Sequence, residues 1–147
     1  MLEDLLKRAE AGDSNAQSQL GHRYYEGPIY PSPPKGGWSQ NSQVSFFSEI
    51  PQDYKKSVYW CRRAANQGNP SGMFWLIRAL RTGVEGNPPD YVEIYKWALL
   101  ASAYGFAAAN EHVEIIESGG YYKEPRITRS QLIEGRNLAV HFRPIEE

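Results

Sequence analysis

With a single cysteine, Cys61, the sequence has no internal disulfide framework. Its spacing puts it on a helix stripe, where a small buried hydrophobe is the expected role rather than a reactive thiol. The three histidines, His22, His112 and His141, are far apart, with no i, i+4 pair and no cysteine companion, which removes the usual zinc spacing. His22 and His141 fall off the apolar stripes of their helices and are expected in solvent. No apolar run approaches the ~20 residues of a membrane span. Met1-Leu-Glu-Asp opens acidic, without the basic n-region of a signal peptide, so a cytoplasmic chain is expected. There is no G-x-S-x-G, no P-loop and no dinucleotide fingerprint. The row Glu111, Glu114 and Glu117, one turn apart, reads as a wet helix face rather than a catalytic pair. The expectation is therefore a non-enzyme with no catalytic residues, no cofactor and no metal. At 147 residues and 41% hydrophobic content, the chain is one domain's worth.

What is present is helix punctuation. The stretch DYKKSVYWCRRAANQGNPSGMFWLIRALRTG, from Asp53 to Gly83, reads as a helix hairpin. Asp53 caps the first helix by accepting from its unpaired amides, and Gly68 closes it with a positive φ. Asn69 and Pro70 open the second helix, where proline's missing N–H costs nothing, and Gly83 ends it. Tyr54, Val58, Cys61 and Ala65 form one apolar stripe, and Ser57, Trp60 and Ala64 another. A lone hairpin cannot bury both.

Neighbours come as repeats. Asp90, Trp97, Ala101 and Gly105 follow Asp53, Trp60, Ala64 and Gly68 at a constant offset of 37 residues. The glycine pair Gly68 and Gly83 recurs as Gly12 and Gly27 and as Gly105 and Gly120, 15 residues apart each time. The first copy reads Ala9, Gly12, Ala16, Gln17, Leu20, Gly21, Tyr24, Gly27. This series, followed by D-x-x-x-x-x-x-W-x-x-x-A-A-x-x-G, resembles the Sel1-like repeat, a relative of the tetratricopeptide repeat. The resemblance implies an all-α, right-handed solenoid of about three hairpins in a single domain. Repeat 1 covers about 1–27, repeat 2 about 52–83 and repeat 3 about 90–120. Gly21 has Ile77 and Glu114 as its counterparts, so the later hairpins should pack with different spacing.

The offset from Gly12 to Gly68 is 56, so a loop insertion over 28–51 carries about 19 extra residues. Its proline, glycine and serine content is loop chemistry, yet it holds Ile29, Tyr30, Trp38, Phe46 and Phe47. These either fold back over a repeat or form a recognition loop, and the two readings are compatible. Near the C-terminus, Thr128 and Gln131 make a capping box, Leu132, Gly135, Ala139 and Phe142 a stripe, and Pro144 a stop. A capping helix over about 128–143 should cover the apolar face of the last repeat.

Charge is unevenly spread. From Tyr54 to Val84 the chain has six cations and no acid, and from Glu85 to Glu117 six acids against Lys96 alone. Opposite charges on adjacent repeats either stack favourably or form a docking face for an acidic partner. Nucleic acid is disfavoured, because the basic block is short and the net charge is −1. By resemblance, the first helix of each hairpin lines the concave side, with Lys55, Tyr59, Arg62 and Asn66 in repeat 2 and Val92, Lys96, Leu99 and Ala103 in repeat 3. Resemblance also implies a bacterial scaffold or adaptor that binds another protein. The partner-binding residues expected on this reading are Tyr30, Trp38, Phe46, Phe47, Lys55, Tyr59, Arg62, Arg63 and Lys96, with no membrane partner. An immunity-type inhibitor of a single toxin is the alternative, and a hydrolase-like enzyme, proposed for some of the wider family, stands behind both.

Overall fold

A computed structural model describes residues 2–28, 50–83 and 88–147. The readings made for Ile29, Tyr30, Trp38, Phe46, Phe47 and Glu85 lie outside these residues. Seven helices follow in order: α1 (Leu2–Glu10), α2 (Ser14–Glu26), α3 (Tyr54–Asn66), α4 (Pro70–Arg81), α5 (Tyr91–Ala103), α6 (Ala109–Glu117) and α7 (Arg129–Val140). Among the described residues there is no strand, and no helix is long and apolar enough to cross a membrane.

The punctuation works as the residue types dictate. Asp53 accepts from the Lys56 amide at 3.0 Å, Asn69 from Gly72 at 3.0 Å, and Asp90 from Val92 and Glu93 at 3.0 and 3.1 Å. Each takes up amide donors that the first turn leaves without a carbonyl. All six repeat glycines (Gly12, Gly27, Gly68, Gly83, Gly105 and Gly120) have φ between 70° and 116°. Thr128 and Gln131 close a complete capping box at the start of α7. Helix α6 starts without a side-chain cap, in the copy that matches the repeat pattern least well.

Hairpins α1–α2, α3–α4 and α5–α6 stack through α2 on α3 and α4, and through α4 on α5. Helix α3 is the wedge between two cores. Its Trp60 enters the first, with Leu5, Ala9, Ala16 and Leu20. One position on, Cys61 enters the second, which runs from Val58 through Met73, Ile77 and Trp97 to Ile127. Helices α2 and α3 approach closely at Gly21, where an added Cβ would stand 2.1 Å from the Cys61 sulfur. Ser57 fills the space beside it by donating to the Gly21 carbonyl at 2.7 Å.

Two expectations need correction. His22 is only partly solvated, because α2 packs on α4 and brings its ring into a stack on Trp75, with centroids 3.6 Å apart, while its Nε2 reaches Glu26 at 3.0 Å. The final helix is also shorter than 128–143. It ends at Val140 with His141 as its C-cap, and the chain then leaves as a non-helical tail. Helix α7 lies on α5, and the contact is made possible by Gly135, where a Cβ would meet Tyr95 Cδ2 at 2.7 Å.

Candidate protein-binding face

Helix α3 presents Tyr59, Arg63 and Asn66 on one side, at the i, i+4, i+7 spacing that aligns side chains along a helix. Tyr59 is 55% exposed. The Arg63 guanidinium lies 5.7 Å from the Tyr59 ring centroid and 5.0 Å from that of Trp60, and Nη1 donates to the Tyr59 hydroxyl at 3.3 Å. Lys55 is exposed at the start of the same helix. Arg62 turns toward α5, where its Nη2 donates to Glu93 Oε1 at 2.7 Å. Lys96 of α5 is half-buried, with Nζ 4.2 Å from the Trp97 centroid and 5.6 Å from that of Phe142. Burial lowers the Lys96 pKa, against the pull of Glu93.

Of the expected partner-binding residues, α3 brings Lys55, Tyr59, Arg62 and Arg63 together, and Lys96 stands on α5. Tyr30, Trp38, Phe46 and Phe47 lie outside the described residues. Much of the positive block is spent internally: Arg62 on Glu93, Arg81 on Glu124 at 3.2 Å, and Arg63 on Glu147. Of these pairs only Arg62 with Glu93 joins the basic repeat to the acidic one that follows it.

Sequence reasoning missed the other half of this face, the tail from Phe142 to Glu147. The Glu147 carboxylate accepts from Arg63 Nε at 3.1 Å and from Arg63 Nη2. It also accepts from Gln17 Nε2 at 3.0 Å and Gln67 Nε2 at 3.3 Å. Arg63 holds this carboxyl below the usual range, and Glu147 in turn raises the Arg63 pKa. The sequence signal for it is an acidic stretch, Ile145-Glu-Glu, following a proline helix stop.

A second polar cluster joins α4, α5 and the loop after α6. The Arg81 guanidinium covers the Tyr121 ring at 3.4 Å, Tyr91 donates to Glu124, and His112 Nδ1 pairs with the Tyr121 hydroxyl at 2.7 Å. Burial lowers the His112 pKa, with Arg81 adding to it, and pushes Tyr121 up to about 12. Beside it, Tyr25, Arg78, Arg81 and Thr82 line a hollow of about 250 Å³. Among the described residues, no three His, Cys, Asp or Glu side chains gather closely enough to hold a metal ion.

Stacked hairpins of matching register define an α-helical repeat solenoid. No family model matches the chain, and no curated protein matches it. Among solved structures, it is similar to a protective antigen present in uropathogenic Escherichia coli strains, described as displaying an SLR fold. The two are 26% identical with a TM-score of 0.60, over 95% of this chain and 25% of the other. The chain therefore spans about a quarter of that neighbour's length. It carries the Sel1-like repeat fold.

Proposed function

We propose that the chain is a non-enzymatic bacterial scaffold or adaptor, acting in the cytoplasm. On this reading it binds another protein through the first-helix face of its hairpins and the 28–51 loop. The observation that supports this most is Tyr59. A large aromatic that is 55% exposed lies outside both cores, touching the edge of Trp60, with ring centroids 5.0 Å apart, and the Arg63 side chain beside it. Tyrosine and arginine are the residue types that most often anchor protein interfaces, because each offers broad contact area with a polar handle. On this reading Lys55, Arg62, Arg63 and Lys96 meet an acidic partner surface, with Arg62 and Arg63 exchanging Glu93 and Glu147 for the partner's acids. The aromatics Tyr30, Trp38, Phe46 and Phe47 supply apolar contact from the loop.

The test is binding kinetics with the partner recovered from the native host, at two ionic strengths, with the fold of each variant checked first. Tyr59→Ala and Trp38→Ala should each cost about 2 kcal/mol, mainly through faster dissociation. Reversing Arg62 and Arg63 to Glu should slow association, most at low salt, because exposed charges are screened at high salt. Parent-like binding by all of these variants would place the interface elsewhere.

A further inference from the structure

The segment from Phe142 to Glu147 is held against α3 and α5 at several points. Phe142 sets its ring edge-on to Trp97, with centroids 5.5 Å apart. Pro144 lies against Gly68, where an added Cβ would be 3.4 Å from the proline ring. The Ile145 amide donates to the Asn66 carbonyl at 2.9 Å. That carbonyl sits in the last turn of α3, and the residue four positions on, Pro70, has no N–H to offer it. The helix end thus leaves an acceptor that an extended segment can use.

Two residues further on, Glu147 reaches a built receptor. Gln17 is fully buried, and its amide nitrogen also donates to the Ala9 carbonyl at 3.0 Å. Gln67 Nε2 donates to Gln17 Oε1 at 2.8 Å, which keeps the two amides in register. Arg63 adds a guanidinium with two donors on the carboxylate, the charge-assisted geometry that binds such groups best. Between these anchors the tail is thinly held, with Ile145 57% exposed and Arg143 and Glu146 in solvent.

We propose that the strip from Arg63 to Gly68, the end of α3 and its cap, with Gln17 beneath it, is a docking slot for an extended acidic segment of a partner protein, occupied by residues 142–147 until the partner displaces them. The proposal rests on the binding-scaffold reading above. The occupant must be extended, because a backbone amide has to reach Asn66. It carries an acid two positions after that amide, to meet Arg63, Gln17 and Gln67. It carries an aromatic three positions before it, to meet Trp97 and Lys96. The tethered tail acts at an effective concentration on the order of millimolar, so a weak competitor fails until the tail is loosened.

The experiment uses the full chain and a fluorescein-labelled peptide of residues 141–147, HFRPIEE, with HFRPIKK as the control. Glu147→Lys should expel the tail and open the slot. HFRPIEE should then bind about tenfold or more tighter than to the parent, because the competent fraction rises. Adding Arg63→Glu should abolish this gain, and HFRPIKK should not bind. Circular dichroism checks each fold; if Glu147→Lys does not fold, Glu147→Gln allows the same comparison with a smaller gain. Failure of HFRPIEE to bind the opened variant, or binding indifferent to Arg63→Glu, overturns the slot. So does a parent dimer held by exchanged tails, which would make a second copy the occupant. A failed peptide alongside partner binding that still depends on Tyr59 would remove the slot and leave the scaffold. A bound peptide with no dependence of partner binding on Tyr59 or Trp38 would do the reverse.

Discussion

Cys61 and Gly21 form one unit. The thiol is fully buried between α2 and α3, 4.0 Å from the Ser57 hydroxyl, and burial pushes its pKa from 9.0 to about 12. In the native protein it should therefore resist alkylation at pH 8 and react only on unfolding. In the folded state the proton stays on to about 12, whereas the unfolded chain releases it near 9.0. Between those values the unfolded state binds fewer protons, so stability should fall as pH rises through that window, a trend that denaturant titrations can follow. Tyr91 and Tyr121, both held up at about 12 by burial, add to the loss above pH 10. Gly21→Ala would place a methyl against the sulfur and 3.0 Å from the Cys61 backbone nitrogen. We expect a loss of about 1–3 kcal/mol by chemical denaturation, partly recovered when Cys61→Ala is added.

Between elements, small residues set how closely helices approach. Ala64 is fully buried and faces Gly72, whose added Cβ would lie 2.6 Å from the alanine methyl. Ala64→Leu should overpack the α3–α4 contact and cost about 1–3 kcal/mol. Gly135 does the same work for α7, and Gly135→Leu should lift that helix from Tyr95. The expected readout is increased binding of a hydrophobic dye, because Trp97, Ile127 and their neighbours lose cover. Dye binding unchanged from the parent would mean that α7 is not needed to close the core. Both alanine and glycine positions were legible as repeat or stripe residues. The partners they touch were not, because spacing along one helix says nothing about which helix lies opposite.

Over the whole molecule, the basic second hairpin is tied to acids that follow it in the chain, Glu93, Glu124 and Glu147. Arg62 and Glu93 connect α3 to α5 at 2.7 Å, with both side chains partly exposed. A double-mutant cycle on this pair should give a coupling of about 0.2–1 kcal/mol, shrinking with salt. The tail behaves differently with pH. The Glu147 carboxyl is held below its ordinary 4.5, so its contribution is present above that value and is lost as pH falls through the lowered one. Hydrogen exchange at the Ile145 amide should accelerate in step with that titration. Exchange that ignores the titration would show the tail to be held by Phe142 and Pro144 instead.

Local chemistry by itself determined the hairpins. Asp53, Asn69, Asp90 and Thr128 cap, and the repeat glycines stop, through interactions that span no more than a turn or two, so residue type and spacing suffice to read them. The same holds for Trp60, Trp97 and Cys61 as core, since periodicity alone assigns a buried stripe. Tertiary structure alone decided that His22 stacks on Trp75 and that the tail crosses α3 to reach Gln17 and Arg63. Glu147 is 84 residues from Arg63 and 130 from Gln17. Contacts at that separation follow from how the hairpins stack and where α7 docks, and no periodic signal in the chain carries either.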